Sequence, residues 1–282
     1  MALRARALLA SVALLAAFAG GAQAQGSDDD GYGDYAAGGY DVGFGELLHS
    51  SQVVDSPTAT VLAHGHYRIR GRLMDGGSLV AATSVGIKDR FEVGVSWGMQ
   101  GLLGRGEVEF NDRTALSLRL LLIPEMQFPS LLIGFDSQGY GAWDPDLERY
   151  ERKSKGFYAC LTRNWYGPMG TDVATTAGIN YSTEDKDESS VDFFFGFEQD
   201  FDRQFALLLD YSAGLDDREQ ESPTRRYGSG KGWLDLGLRW NVVGPVQFKF
   251  FFRDLLSNYR RPSDGGRDSV DRQFEISYEG SF

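Results

Sequence analysis

The fold is decided by the stretch 191-VDFFFGFEQ-199, in which side chains of opposite character alternate. In an extended chain, successive side chains point to opposite faces. One face therefore carries Val191, Phe193, Phe195 and Phe197, and the other carries Asp192, Phe194, Gly196 and Glu198. The same alternation recurs in 234-LDLGLRWN-241 and in 246-VQFKFFFR-253. These stretches predict β-strands that have one apolar and one polar surface.

Twelve segments of the chain share this pattern. They are 60–72, 79–87, 91–98, 114–122, 129–138, 156–164, 171–181, 191–199, 204–213, 232–242, 245–253 and 270–282. Segment 79–87 shows the weakest alternation, and the even strand number depends on it. Most of these segments have the length of about 9–11 residues that a tilted strand needs to cross a bilayer.

The gaps between the segments are sorted by length. Every second gap is two to six residues long, whereas the others are mostly much longer and reach 18 residues. Bacterial outer-membrane barrels have short periplasmic turns, longer extracellular loops and an even strand number. The sequence therefore predicts an all-β fold, a transmembrane antiparallel β-barrel of about twelve strands. Such strands must close into a barrel, because lipid offers no partner to the backbone groups of an open edge.

Composition is consistent with this fold and excludes several other classes. The 282 residues include 36 glycines and 13% aromatics, a combination typical of many short strands and turns. A net charge of −12 argues against a nucleic-acid partner. Cys160 is the only cysteine, so an intramolecular disulfide and a multi-cysteine metal site are excluded. A mean hydropathy of −0.31 argues against a bundle of transmembrane helices.

The start of the chain has the three parts of a secretory signal peptide. Arg4 and Arg6 precede the apolar run 7-ALLASVALLAAF-18, and Ala22-Gln23-Ala24 has the small-x-small form of a cleavage site. We therefore predict a cleaved signal peptide over 1–24 and export to the outer membrane of a Gram-negative cell. Residues 25–59 are predicted to form a largely irregular periplasmic leader, and residues 60–282 the barrel.

The last segment ends in an aromatic residue. Phe282 follows Phe274, Ile276 and Tyr278, which lie on one face of the alternating strand. This ending resembles the recognition signal for the barrel-assembly machinery, although Gly280 stands where a large apolar residue is usual. The sequence thus predicts outer-membrane lipid and this machinery as partners, and it leaves the oligomeric state open.

Three stretches carry a family resemblance. They are 55-DSPTATVL-62, 91-FEVGVSW-97 and 129-PSLLIGFDSQG-139. Together they resemble a group of uncharacterised bacterial outer-membrane β-barrels that are distantly similar to YjbH-type proteins, which are associated with exopolysaccharide production. The resemblance covers most of 50–282 and brings no catalytic residues with it. It implies a structural or envelope-related role linked to exopolysaccharide production or export, with polysaccharide as a candidate partner. The chain departs from those proteins in lacking a lipoprotein cysteine and in being much shorter.

If the apolar face contacts lipid, the alternate residues face the lumen. These polar candidates are His64, His66, Arg68, Arg70, Arg72, Glu92, Arg119, Asp136, Asp192, Glu198, Asp210, Asp235, Arg239, Lys249, Arg253, Glu275 and Glu279. Their charges nearly balance, which favours a paired, structural interior over an ion-selective pore with one sign of charge on its wall. The alternative is a porin-like passage for small solutes or anions, in which Arg68, Arg70 and Arg72 form a basic ladder.

The sequence indicates no catalytic residues, no metal site and no cofactor. The histidines are His49, His64 and His66, and His64 and His66 share a face without an evident third metal ligand. There is no P-loop and no dinucleotide-binding fingerprint. A lipid hydrolase remains as the enzymatic alternative, because a serine–histidine–carboxylate site is recognised by geometry rather than by sequence order.

Closure of the barrel requires the first strand to pair with the last. That pairing brings the basic ladder to the same seam as Glu275 and Glu279. With the strand ends aligned, Arg68 is predicted to lie nearest Glu275.

Overall fold

The computed structural model describes residues 50–103, 108–166, 171–185, 190–202, 204–217, 228–260 and 270–282. The predicted signal peptide, residues 25–49 of the predicted leader, and His49 lie outside the described residues.

The predicted antiparallel barrel of twelve strands is confirmed. Its strands are β1 (His66–Leu73), β2 (Leu79–Ile87), β3 (Phe91–Gln100), β4 (Glu109–Ile123), β5 (Ser130–Asp136), β8 (Gly156–Tyr166), β9 (Asp172–Tyr181), β10 (Val191–Asp200), β11 (Phe205–Ser212), β12 (Trp233–Val243), β13 (Val246–Arg253) and β14 (Asp271–Ser281). Each strand pairs with its neighbours in chain order, apart from the step from β5 to β8. Between these two strands the chain forms a separate hairpin, β6 (Tyr140–Asp144) and β7 (Arg149–Arg152), which the sequence pattern did not predict.

The barrel closes through β1 and β14, as predicted, but in a different register. Arg68 lies opposite Glu279, and Arg72 lies opposite Glu275. The prediction that Arg68 lies nearest Glu275 was wrong because β1 begins at His66 rather than at residue 60. Residues 60–65 precede the first strand and are not part of the wall. The chain turns into β1 at Gly65, whose positive φ of +74° suits a glycine.

The connections are sorted between the two ends of the barrel. At one end of the barrel, which we call the turn end, the strands are connected by residues 88–90, 124–129, 167–171, 201–204 and 244–245. At the other end, which we call the loop end, they are connected by residues 74–78, 101–108, 137–155, 182–190, 213–232 and 254–270. In the described part of the chain, the 3₁₀ turn Asp75–Gly77 is the one helical element, and no helix there is long and apolar enough to cross a membrane.

The outer surface of the wall is apolar. Large side chains on many strands are exposed, among them Ile69, Leu120, Ile133, Phe157, Ile179, Phe193, Phe195, Leu238, Phe250 and Ile276. A continuous apolar surface of this kind is stable in lipid rather than in water. The barrel is therefore an outer-membrane protein, with its turn end in the periplasm and its loop end outside the cell.

The residues of the predicted assembly signal lie on or beside this surface. Ile276, Tyr278 and Phe282 are exposed, and the rings of Tyr278 and Phe282 lie beside Tyr67 of β1. The backbone N–H of Phe282 donates a hydrogen bond to the carbonyl of Gly65, which extends the β1–β14 seam to its turn end.

Residues 50–62, which we call the lumen segment, lie inside the barrel, and residues 63–65 form the turn from this segment into β1. Val53, Val54 and Ala59 are buried, although a leader outside the barrel would expose them. The chain enters close to β2, where a Cβ on Gly86 would clash with the backbone carbonyl of Ala63. A side chain at this position would block that entry.

Candidate functional site

The lumen segment folds into a tight turn around Asp55. The N–H of Val53 donates to the carbonyl of Ser56 at 3.0 Å, and Gln52 pairs with Pro57. Asp, Ser and Pro favour turns because Asp and Ser hydrogen-bond nearby backbone and Pro fixes φ. The turn places the carboxylate of Asp55 at its tip, where the residue is 4% exposed.

One carboxylate of the wall holds the backbone of this turn. Oδ2 of Asp210, on β11, accepts hydrogen bonds from the N–H groups of Val54 (3.1 Å), Asp55 (2.8 Å) and Ser56 (2.7 Å). Oδ1 of Asp210 accepts a further bond from the hydroxyl of Ser56 at 2.5 Å. Successive backbone N–H groups form a concave site for an anion. Asp210, which is fully buried, occupies that concave site.

Three arginines converge on the side chain of Asp55. Nη1 of Arg72 (β1) lies 2.9 Å from Oδ1, Nε of Arg152 (β7) lies 3.2 Å from Oδ2, and Nη2 of Arg253 (β13) contacts Oδ2. Asp235 of β12 contacts two of these arginines, with Nη1 of Arg152 at 2.7 Å and Nε of Arg253 at 3.6 Å. The wall, the lumen segment and the hairpin therefore meet at one carboxylate.

Aromatic rings fix the planes of these guanidinium groups. The guanidinium carbon of Arg72 lies 4.5 Å from the ring centroid of Tyr140 and 4.3 Å from that of Phe251. That of Arg152 lies 5.0 Å from the centroid of Trp233. Cations are attracted to ring faces at such distances. The arginines are thus oriented even where they make no hydrogen bond.

Two apolar patches on the inner wall also hold the lumen segment. Val53 and Val54 pack against Leu208 and Phe251. The second patch surrounds Ala59 and consists of Leu132, Tyr158, Cys160 and Phe194. These wall residues were not among the predicted site residues, because only polar side chains were assigned to the lumen. The signal was present in Phe194, an aromatic on the otherwise polar face of β10.

The rest of the lumen segment is fastened through its backbone. The N–H of Ala59 donates to the hydroxyl of Thr162 at 2.7 Å, and that of Leu62 donates to Glu92 at 3.0 Å. Nη2 of Arg119 donates to the carbonyls of Thr58 (2.6 Å) and Thr60 (2.8 Å). Side chains of β3, β4 and β8 therefore take the place of strand partners for this segment.

Most other lumen candidates form pairs on the inner wall. Arg68 lies 2.9 Å from Glu279, and Arg119 lies 3.9 Å from Glu92. Glu275 has two partners, Lys249 at 3.8 Å and Arg70 at 4.0 Å. Arg239 contacts both Glu198 and Asp200. Asp192 accepts bonds from the hydroxyl of Ser212 and the N–H of Leu215, and Asp136 accepts one from the N–H of Gln138.

His64 is the exception, and its predicted lumen position is wrong. It lies exposed in the turn before β1, where its N–H donates to Asp89 at 2.6 Å. His66 begins β1, with Nδ1 3.6 Å from Glu279. Neither arrangement has the serine–histidine–carboxylate geometry of a hydrolase. Among the described residues, no group of three or more His, Cys, Asp or Glu side chains is arranged to hold a metal ion.

At the loop end, charged residues attach the hairpin to neighbouring loops. Glu184 accepts hydrogen bonds from the N–H groups of Tyr150 (2.9 Å) and Ser154 (3.0 Å), and Arg149 lies 2.7 Å from Asp217. Burial in this cluster raises the pKa of Glu184, and it raises the pKa of Asp216 to about 6. The hairpin is thereby held over the extracellular mouth of the barrel.

Little open space remains between these elements. Three cavities in the described part of the lumen have volumes of about 20, 30 and 50 Å³. A single water needs roughly 10–15 Å³ measured in this way, so each cavity holds a few waters at most. The described part of the lumen is therefore largely filled in this conformation.

No protein-family model matches the chain, and no curated protein matches it either. Among solved structures, a KdgM porin is 9% identical over 77% of this chain and 99% of the porin, with a TM-score of 0.47. A NanC porin is 8% identical over 77% and 99%, with a TM-score of 0.41. Wzi, a carbohydrate-binding barrel involved in group 1 capsule assembly in Escherichia coli, is 12% identical over 77% of this chain and 56% of Wzi, with a TM-score of 0.29.

Proposed function

We propose that the protein forms a passage for small solutes across the outer membrane, and that the lumen segment closes this passage in the described conformation. The observation that carries the proposal is the way the lumen is filled. Its contents are not wall side chains alone but a separate stretch of chain, held by hydrogen bonds, ion pairs and apolar contacts. Such a segment can leave without breaking the hydrogen-bond ladder of the wall.

The charges of the inner wall support a passage. Burying an ion pair costs desolvation, and apolar residues of the same volume are often as stable or more so. A barrel that needed only a filled interior would therefore gain nothing from Arg72, Arg253 and Asp235. If the lumen segment leaves, however, the same charges line a lumen that water can fill.

Conductance in planar lipid bilayers tests this proposal. Asp210→Ala removes the acceptor for three backbone N–H groups and one hydroxyl of the lumen segment. We expect wild-type protein to stay mostly closed and Asp210→Ala to open at least tenfold more often. Asp75→Ala, in an exposed turn at the loop end where the carboxylate accepts the N–H of the next residue, is the control and should behave as the wild type.

Folding is verified for each protein by its heat-modifiable migration on a gel. If folded Asp210→Ala shows no more openings than Asp75→Ala, the lumen segment does not gate a passage.

The second candidate function is a structural or envelope-related role linked to exopolysaccharide production or export. It is favoured by the closed lumen and by the YjbH-type resemblance of the stretches 55–62, 91–97 and 129–139. A cell lacking the protein would then secrete less exopolysaccharide, and Asp210→Ala would restore secretion as well as the wild type does. Recognition by the barrel-assembly machinery through Phe274, Ile276, Tyr278 and Phe282, and export through a signal peptide, stay predictions.

A further inference from the structure

We propose that Arg72, Arg152 and Arg253 form a binding site for a small carboxylate, and that Asp55 occupies this site as an internal ligand while the barrel is closed. The inference rests on the proposed function, because an outside solute reaches the site only when the lumen segment withdraws. The three arginines already surround Asp55 in the closed barrel.

The site is built from three separate elements. Arg72 belongs to β1, Arg253 to β13 and Arg152 to the hairpin, and the side chains of Arg72 and Arg253 are 1% and 4% exposed. Guanidinium groups suit carboxylates because their N–H donors match the two oxygens in geometry. Three of them around one carboxylate make a site that is selective for an anion.

Asp55 leaves part of this site unused. Nε and Nη2 of Arg72, Nη2 of Arg152 and Nε of Arg253 are buried without a hydrogen-bond acceptor among the described residues. The carboxylate of Asp55 is tethered to a backbone that Asp210 fixes, so it cannot turn to engage these donors. A free carboxylate can adopt the two-pronged geometry that Asp55 lacks.

The charge balance also favours an anion once Asp55 is gone. Once Asp55 is removed, Asp235 is the described carboxylate that still contacts these arginines; it contacts Arg152 and Arg253, and Arg72 loses its ion pair. In Asp55→Ala with the lumen segment still seated, the guanidinium groups stay buried, and buried unpaired charge is strongly unfavourable, so an entering anion is bound tightly. In that seated state the adjoining cavity of about 30 Å³, lined by Tyr140, Arg152 and Trp233 among others, restricts the ligand to a small one.

Acetate is the probe, because it has the structure of a detached Asp side chain. We expect full-length Asp55→Ala to lose its heat-modifiable fold at a lower temperature than the wild type. Sodium acetate should raise that midpoint by several degrees, in a saturable manner, when ionic strength is held constant with sodium chloride. Acetamide, which has the same shape without the charge, should have no effect. The wild type, whose site is filled, should not respond to acetate.

A second variant connects the response to the arginines. In the double variant Asp55→Ala, Arg253→Met, at least tenfold more acetate should be needed to raise the unfolding midpoint by the same amount. If Asp55→Ala folds poorly in chloride, the yield of its refolding in acetate against chloride replaces the midpoint.

Equal effects of acetate and chloride on the Asp55 variants would overturn the proposed site. A saturable acetate effect without any conductance would instead leave the site standing and remove the passage.

Discussion

The barrel wall and the lumen segment are held together by different kinds of interaction. β10 is typical of the wall, since it pairs with β9 along its whole length and with β11 over most of it. Residues 50–62 have no such partner in the wall strands, and their backbone is bonded to side chains such as those of Asp210, Thr162 and Glu92. The wall is therefore one cooperative unit, whereas the segment depends on a few contacts that can be lost without unfolding it.

The largest effect is expected from a charge on the lipid face of the wall. Phe195 lies in the middle of β10 and is exposed, so Phe195→Arg places a cation near the centre of the bilayer. We expect the free energy of unfolding in lipid vesicles to fall by about 2–4 kcal/mol. Leu255→Arg, in a loop outside the membrane, is the control, and its cost should be about 0–1 kcal/mol. Equal costs for the two variants would mean that the Phe195 side of β10 does not face lipid.

A smaller and more local effect is expected where the wall binds the lumen segment. Thr162→Val removes the acceptor for the N–H of Ala59 and the hydroxyl partner of Thr176 on β9, and it leaves the Ala59 N–H buried and unpaired. An unsatisfied buried donor costs about 1–3 kcal/mol, and the part that comes from Ala59 opposes the seating of the segment. Hydrogen exchange of the amides in 50–62 should therefore accelerate, while that of β10 stays unchanged.

Thr83→Val is the matched control for Thr162→Val. Thr83 pairs with Ile69, whose side chain is exposed to lipid, so its hydroxyl plays no part in the lumen. If Thr162→Val accelerates exchange in β10 as much as in the segment, the two regions are not energetically separate.

The difference between the regions also explains what could be predicted from the sequence. A strand in this wall has an apolar outer face and a largely polar inner face, so a period of two identifies it locally, and all twelve wall strands were found in this way. The lengths of the gaps between the strands then indicated that one end of the barrel has short turns and the other has long loops. The inner positions of Arg72, Arg239 and Arg253 follow from the same alternation.

The contents of the lumen could not be predicted, because they depend on contacts between residues far apart in sequence. Asp55 lies in a stretch without periodicity, and its partners come from β1, β7 and β13. The hairpin was missed because its strands are short and β7, with sequence RYER, has no apolar alternation. The predicted register of β1 was wrong because residues 60–65 continue the alternating pattern although they lie before the strand and not in it.

A disulfide between the lumen segment and the wall shows whether the segment closes the barrel. A Cβ on Gly196 would lie 3.4 Å from the Cβ of Val53, and disulfides join Cβ atoms about 3.5–4.5 Å apart. Val53→Cys with Gly196→Cys, in a Cys160→Ser and Asp210→Ala background, should cross-link in the folded barrel. The pair Val53→Cys and Phe195→Cys, whose second member points to lipid, should not.

In planar bilayers the oxidised Val53→Cys, Gly196→Cys protein should stay closed, and a reductant should restore the frequent openings of Asp210→Ala. A folded protein that never cross-links, or a cross-linked protein that conducts as well as the reduced one, would contradict the claim.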